Sequence, residues 1–330
     1  MRRWMPENTG VASRASRFNV VHPKARAGEL MKSAIRKVAV LCSAICLQLN
    51  AALTPAGETV TANPPTKPGQ IRIEYGVPQN PAHKEIHDRM KEDKVLERFR
   101  EFLSPVHLPG PLLLKFEGCD GVSNAWYEPA SRAVTVCYEY IAEVMGNAPL
   151  ETTAAGVTRD EAIVGPGVEV FLHEIAHALF DMLKLPILGR EEDAADQIAA
   201  YALMQLGKED ARRTVIGVGY MYGHEAQAQT PGMKQFADAH GLPAQRFYNL
   251  LCMAYGADPK LFADLVEQKY LPESRAEYCA DEYRQVEYAV NKLIAPHMDQ
   301  KQRGKVKAKK WLKPAPAAGA KAGAAAPPKP

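Results

Sequence analysis

The pattern of apolar and polar positions predicts regular structure in the centre of the chain and little at either end. Residues 71–77 alternate between apolar and polar, which predicts a strand. Charged residues with apolar positions at helical spacing predict a helix over 82–104, ending before Pro105. Residues 112–116 are apolar and residues 133–138 are rich in β-branched side chains, so both segments predict strands.

The segment between the last two strands is rich in turn-forming residues, which predicts that strands 112–116 and 133–138 pair as a hairpin. Strand 133–138 is also a candidate edge for binding an extended peptide, with an ordinary core strand as the alternative. From Val168 onward the pattern is mostly helical. The sequence therefore predicts an α+β fold, with a small antiparallel or mixed sheet and a mostly helical C-terminal half.

Residues 1–52 predict an N-terminal extension that contains an export signal. After Met31 come three basic residues, an apolar run at 38–49 and two small residues, the order found in secretory signal peptides. The run is too short to span a bilayer comfortably, and a buried core helix is the alternative interpretation. We therefore expect a periplasmic or secreted protein with no transmembrane span in its mature form, and Met31 is a candidate true start.

The rest of the chain divides into a Pro-rich linker at 53–69, a domain at 70–300 and a tail at 301–330. Lysine, alanine and proline dominate the tail, which predicts disorder. The whole chain has a formal net charge of +3, but residues 52–300 carry 36 acidic and 23 basic side chains. This acidic body argues against a nucleic-acid partner. The tail, with nine basic residues and no acidic ones, is a candidate contact for anionic surfaces.

Four cysteines lie outside the predicted signal: Cys119, Cys137, Cys252 and Cys279. An even number in an exported protein predicts disulfides. Three pairings exist, and we favour Cys119 with Cys137 and Cys252 with Cys279, because each pair falls within one local unit. Reduced cytosolic thiols, or a cysteine that binds a metal ion, are the alternatives.

The most informative segment is a predicted helix over 168–183, which follows Gly165, Pro166 and Gly167. His173 and His177 are four residues apart, so they project from one face and can share a tetrahedral metal ion. Glu174 is placed to take a proton from a metal-activated water. The alternative is a pair of surface histidines with an ion-paired glutamate, but an unpaired imidazole in so apolar a helix would be costly.

A catalytic zinc ion (Zn²⁺) needs a third protein ligand and an open position. A second helix is predicted over 190–204, and its first turns carry Glu192 and Asp196 at helical spacing. Glu192 is the candidate third ligand, and Asp196 is a candidate partner for a ligating imidazole. Glu191 and Asp193 are interpreted as solvated or structural, since acidic residues suit the start of a helix.

The motif HEIAH followed by EDAAD resembles the HExxH and ExxxD pair of gluzincin metallopeptidases, which include thermolysin-like and CAAX-type enzymes. The resemblance implies a zincin-like fold, Glu192 as third ligand, Asp196 as partner of His173, and peptides or proteins as substrates. Residues 70–297 also resemble a family of uncharacterised bacterial metallopeptidases. That resemblance rests on these segments: NAWYEP, VTVCYEY, HEIAHALFDMLKLPILGREEDAADQ, QRFYNLLCMAYGADP and RAEYCADEY. The 14 residues between His177 and Glu192 are fewer than in thermolysin, so the connecting loop must differ.

A peptidase must also stabilise an oxyanion. The candidates in the C-terminal half are His224, His240, Arg246 and Tyr248, of which we favour His240 and Tyr248. The leading hypothesis is zinc-dependent peptide hydrolysis with Glu174 as the general base. The alternatives are a non-catalytic zinc-binding interaction module in the periplasm, and a different zinc amide hydrolase that uses Cys119 or Cys137 as third ligand in the manner of peptide deformylases.

Overall fold

The computed structural model describes residues 70–228 and 230–313. The predicted signal peptide, the predicted linker and residues 314–330 of the predicted tail lie outside this part of the chain. Its strands are β1 Ile71–Tyr75, β2 Leu112–Glu117, β3 Ala125–Glu128 and β4 Ala133–Cys137. Its helices are α1 Lys84–Glu92, α2 Val95–Phe102, α3 Tyr138–Asn147, α4 Arg159–Leu183, α5 Glu191–Leu203, α6 Lys208–Ala228, α7 Met233–Phe236, α8 Pro243–Ala257, α9 Ala263–Glu267, α10 Glu273–Leu293 and α11 Gln300–Lys307.

The four strands form one mixed sheet in the order β1-β2-β4-β3. Strand β2 pairs in parallel with both β1 and β4, and β3 pairs antiparallel with β4. The predicted strands at 71–77, 112–116 and 133–138 are present, but the predicted hairpin between the last two is wrong. The turn-rich segment contains its own strand, β3, and the hairpin connects β3 to β4.

The position of β4 also corrects the predicted edge. Its five residues are all buried, because β4 lies between β2 and β3. The two edges of the sheet are β1 and β3, and β3, whose residues are half-buried or exposed, is the edge strand next to β4. Residues 133–137 are therefore the core strand of the alternative interpretation.

The helix predicted over 82–104 is two helices, α1 and α2, preceded by a 3₁₀ turn at Pro81–His83. The break occurs at Lys94, whose φ of 52° places it in the left-handed region. This bend turns the second helix so that Leu96 and Phe99 enter the core. Helical periodicity in the sequence continues across the break, which is why the pattern predicted one helix.

Helix α4 begins nine residues earlier than predicted, at a capping box formed by Thr158 and Glu161. The Thr158 hydroxyl accepts from the Glu161 amide at 3.2 Å, and the Glu161 carboxylate accepts from the Thr158 amide at 2.9 Å. Pro166 lies inside the helix and does not end it. The helix is long and apolar enough to cross a membrane by length and composition alone, but 72% of its most apolar window is buried inside the protein, as in a core helix.

One of the glycines near the predicted start of this helix, Gly165, has a packing role together with Gly217 of α6. A Cβ added at Gly165 would lie 2.6 Å from the Thr214 carbonyl oxygen on α6, and one added at Gly217 would lie 1.9 Å from the Glu161 carbonyl oxygen on α4. Both distances are far below van der Waals contact. Only glycine therefore allows α4 and α6 to pack this closely, and α6 in turn forms one side of the region around His173.

The two predicted disulfides are confirmed. Cys119 and Cys137 are bonded at 2.02 Å, and Cys252 and Cys279 at 2.01 Å. The first bond follows from the parallel pairing of β2 and β4, whose carboxyl ends lie at the same edge of the sheet. The second joins helices α8 and α10.

The prediction that the tail is disordered from residue 301 is wrong for residues 301–313. They include α11 and a segment that returns to the body, where Trp311 is buried at 5% exposure. The Asp210 carboxylate accepts from the Trp311 amide at 2.6 Å and from the Leu312 amide at 3.2 Å. The Trp311 ring buries apolar surface, and the Asp210 carboxylate satisfies backbone amides of this segment. A composition rich in lysine and alanine does not indicate either interaction.

Candidate metal centre

Helix α4 places two imidazoles on one face. His173 and His177 are one turn apart, and their Nε2 atoms lie 3.2 Å from each other. His173 is buried at 4% exposure and His177 is half-buried. The surrounding helix is apolar and mostly buried, so both rings are held in a fixed orientation.

Helix α5 brings a carboxylate to the same point. Lys184 ends α4 in the left-handed conformation, and the chain turns back so that Glu192 lies in the first turn of α5. The Glu192 Oε2 atom is 3.1 Å from the His173 Nε2 atom and 3.3 Å from the His177 Nε2 atom. The structure thus brings together the three predicted ligands.

This arrangement fits a tetrahedral metal ion. Bonds of about 2.05 Å to nitrogen at tetrahedral angles separate neighbouring donor atoms by about 3.3 Å. The separations of 3.1 to 3.3 Å among the three donors match that value. Two imidazoles and one carboxylate form a donor set suited to a divalent transition metal.

Two other groups of metal-binding residue types occur in the described chain, and neither competes. One contains Cys119, Cys137 and Glu139, but its two sulfur atoms are bonded to each other. The other contains Glu169, His173 and Asp196. There the Asp196 carboxylate is already occupied by the guanidinium of Arg246.

The second nitrogen of each imidazole is bound to an acidic residue. The His173 Nδ1 atom lies 2.8 Å from Asp196, and the His177 Nδ1 atom lies 2.8 Å from Glu191. The first contact matches the predicted role of Asp196. The second was missed, because acidic residues in a first helical turn also have the ordinary explanation of the helix dipole.

A buried network continues beyond Asp196. Arg246 donates to its two carboxylate oxygens at 2.6 and 2.7 Å, and the guanidinium lies over the Tyr222 ring at 4.5 Å. The Tyr222 hydroxyl donates to Glu169 at 2.9 Å. Glu169 precedes His173 by four residues, so helical spacing placed it on the same face, but no motif distinguished it from an ordinary helix residue.

These contacts set the charge state of the centre. A hydrogen bond from His173 lowers the pKa of Glu192 to about 2, against the effect of its burial. Burial alone would raise the pKa of Asp196, but hydrogen bonds from His173 and Arg246 hold it well below its ordinary value. Both carboxylates are therefore ionised across the neutral range, as a cation-binding centre requires.

Glu174 is buried at 8% exposure and lines the same cavity as the three ligands. Burial raises the pKa of its carboxyl group, although the nearby His173 and His177 oppose the shift. A raised pKa brings a carboxylate closer to the value that suits a general base at neutral pH. Glu174 thus lies beside the three candidate ligands, and its role as a general base stays a prediction.

Of the two favoured oxyanion donors, His240 lies at the candidate centre and Tyr248 does not. The His240 Nε2 atom lies 2.9 Å from Glu192, and its ring stacks on His173 with centroids 5.7 Å apart. His224 also lines the cavity. Tyr248 instead lines a separate depression with Arg190 and Asp193, so the structure does not bring it to the candidate metal ligands.

The cavity around the centre has a volume of about 540 Å³. Strand β3 forms one wall through Ala125, Trp126 and Tyr127, and the opposite parts come from α3, α4, α5 and α6. The Tyr127 hydroxyl donates to Asp181 of α4 at 2.8 Å, which ties the edge strand to the helix that carries the histidines. The three candidate ligands thus lie in a cleft that the edge strand β3 lines.

The DUF4344 family, described as "Putative metallopeptidase", matches residues 75–294. The match covers about two thirds of the chain and contains the whole candidate centre. The chain belongs to this metallopeptidase family. No curated protein and no solved structure matches it significantly. Membership supports a metal-dependent peptidase that acts on peptides or proteins, and it matches the family resemblance found in the sequence.

Proposed function

We propose that this protein is a zinc-dependent peptidase of the gluzincin type with a zincin-like fold. The observation that carries the proposal is the convergence of His173, His177 and Glu192 at tetrahedral spacing, with Glu174 beside them in a cleft. These three residues would hold the ion. When bound, zinc supplies Lewis acidity, which polarises the scissile carbonyl group and lowers the pKa of water.

The side chains of the protein would do the remaining chemistry. Glu174 takes a proton from the attacking water and passes it to the leaving nitrogen. His240 donates a hydrogen bond to the oxyanion, and Asp196 holds the His173 ring in the orientation that directs Nε2 into the cleft. The backbone of β3 pairs with an extended peptide, because an edge strand presents unpaired amide and carbonyl groups.

Metal analysis together with a peptidase assay tests this proposal. The purified protein should contain about one zinc ion per chain, and a chelator should abolish its hydrolysis of an unstructured protein such as casein. Glu174→Gln should retain the metal and lose about 10²–10⁴-fold in kcat. The exposed Glu277, which lies on α10 away from the cleft, provides the control variant Glu277→Gln.

The same measurement separates the alternatives. A Glu174→Gln protein that is as active as the wild type, or a wild type with bound metal and no hydrolysis, would favour the non-catalytic zinc module. The deformylase-like alternative loses its support, since both Cys119 and Cys137 are in a disulfide. Two disulfides also support the proposed export to the periplasm or beyond, because such bonds persist in oxidising compartments.

A further inference from the structure

The cleft extends from the metal ligands to an acidic end. Three helices contribute glutamates there: Glu143 from α3, Glu169 from α4 and Glu225 from α6. All three line the open cleft that also contains His173 and His177. The acidic end therefore belongs to the same cleft as the candidate metal ligands.

The three carboxylates at this end differ in how many polar partners they have. The Glu169 carboxylate accepts from the Tyr222 hydroxyl and lies 3.8 Å from Arg246. The Glu143 and Glu225 carboxylates form no hydrogen bond or ion pair with any residue in the described part of the chain. Arg246 is the only lysine or arginine among the described residues that line the cleft, and it is committed to Asp196.

The Glu225 side chain is half-buried without a counter-ion. Burial raises the pKa of Glu225 to about 7, and although Arg246 lowers it, Glu169 and Glu143 raise it further. A partly desolvated carboxylate without a partner is costly, and a cation placed beside it removes much of that cost. Tyr140 and Tyr220 also line the cleft, where the Tyr220 ring stacks on His224 with centroids 6.1 Å apart, and aromatic rings can pack against a cation or an aliphatic stem.

We infer that this end of the cleft is a specificity subsite for a cationic group of the substrate, with Glu225 forming the ion pair and Glu143 adding to the negative potential. The cationic group is a lysine or arginine side chain or a free α-amino group. A neutral substrate group would leave Glu225 without a counter-ion, and an acidic group would be repelled by it. The subsite therefore discriminates between substrates by their charge. The inference rests on the proposed function, because it assigns the substrate class of the same cleft.

Two sets of alanine-rich peptides test it. One set is acetylated at the N-terminus and carries a single lysine, arginine or norleucine at each position in turn, and the second set has a free N-terminus and no basic side chain. The wild type should prefer the cationic peptides by about tenfold or more in kcat/KM, mainly through KM, as for a partly desolvated charge pair. Glu225→Gln should remove most of this preference and Glu143→Gln a smaller part, whereas Glu277→Gln should keep all of it.

Binding to the Glu174→Gln protein gives a readout that does not depend on hydrolysis. Fluorescence anisotropy with the labelled peptides should show tighter binding of the cationic ones, and the double variant Glu174→Gln/Glu225→Gln should lose the difference. If the protein prefers lysine peptides whose N-terminus is acetylated, the subsite binds a basic side chain. If it prefers the peptides with a free N-terminus, the subsite binds the α-amino group. Equal binding of lysine and norleucine peptides, or a preference unchanged in Glu225→Gln, overturns the subsite. Charge-selective binding without hydrolysis by the wild type overturns only the peptidase proposal.

Discussion

At the scale of single residues, His173 is the most constrained side chain of the centre. Its Nε2 atom faces Glu192 and His177, while its Nδ1 atom contacts Asp196. Burial alone would lower the pKa of His173, but the hydrogen bonds to Asp196 and Glu192 raise it to about 10. The ring orientation is thus fixed by the groups around it before any ion binds.

Replacing Asp196 with asparagine should weaken metal binding about 10- to 100-fold, the usual cost of removing a carboxylate that orients a ligating imidazole. The amide keeps the shape but loses the charge that holds both His173 and Arg246. Competition with a chromogenic chelator measures the metal affinity. Asp193→Asn, on the same helix but bound only to the partly exposed Arg190, is the matched control. Equal affinities in the two variants would contradict the role assigned to Asp196.

At the scale of elements, the position of the helix that carries His173 and His177 depends on how closely α4 approaches α6. Gly165 and Gly217 face each other across this contact, and each leaves no room for a Cβ atom. Gly165 lies about two turns before His173 on the same helix. A shift of α4 would therefore move both histidines relative to Glu192, which lies on α5.

We expect Gly217→Ala to lower the free energy of unfolding by about 1–3 kcal/mol, the range typical of an overpacked core. The added methyl group would meet the Glu161 carbonyl oxygen, which belongs to backbone and cannot rotate away. Gly146→Ala in α3 is the control, since a Cβ there meets nothing within 4 Å. That variant should be neutral or up to about 1 kcal/mol more stable. Chemical denaturation measures both, and similar values for the two would show that the close packing is unimportant.

At the scale of the whole molecule, residues 301–313 act as a strap over the body. They lie beyond the family match, which ends at residue 294. The strap contacts distant parts of the chain, because Arg98 of α2 and Asp210 of α6 both hydrogen-bond the backbone of Trp311. The Trp311 ring also packs against Phe102 with centroids 5.6 Å apart.

Trp311→Ala should lower the free energy of unfolding by about 3 kcal/mol, because it removes a large buried side chain next to the buried Asp210 carboxylate. Lys310→Ala, whose side chain is 87% exposed, should change it by less than about 0.5 kcal/mol. Thermal and urea denaturation of the full chain give both values. If the strap were not docked, the two substitutions would have equally small effects.

The sequence by itself determined the chemistry of the centre to a large extent. Residues four apart on a helix lie on the same face, so His173 and His177 share one face of their helix and Glu192 and Asp196 share one face of the next. This holds independently of the rest of the fold. The disulfide pairing was also accessible, because each pair lies within one local unit. These are properties of short segments, which local geometry controls.

Only the tertiary structure decided how distant segments meet. Strand pairing, the identity of the edge strand, and the docking of Trp311 depend on contacts between residues far apart in sequence, for which no periodicity exists. For the same reason the sequence did not separate His240, which reaches Glu192, from Tyr248, which does not. The acidic end of the cleft is a further example, because Glu143, Glu169 and Glu225 come from three helices that only the packed core brings together.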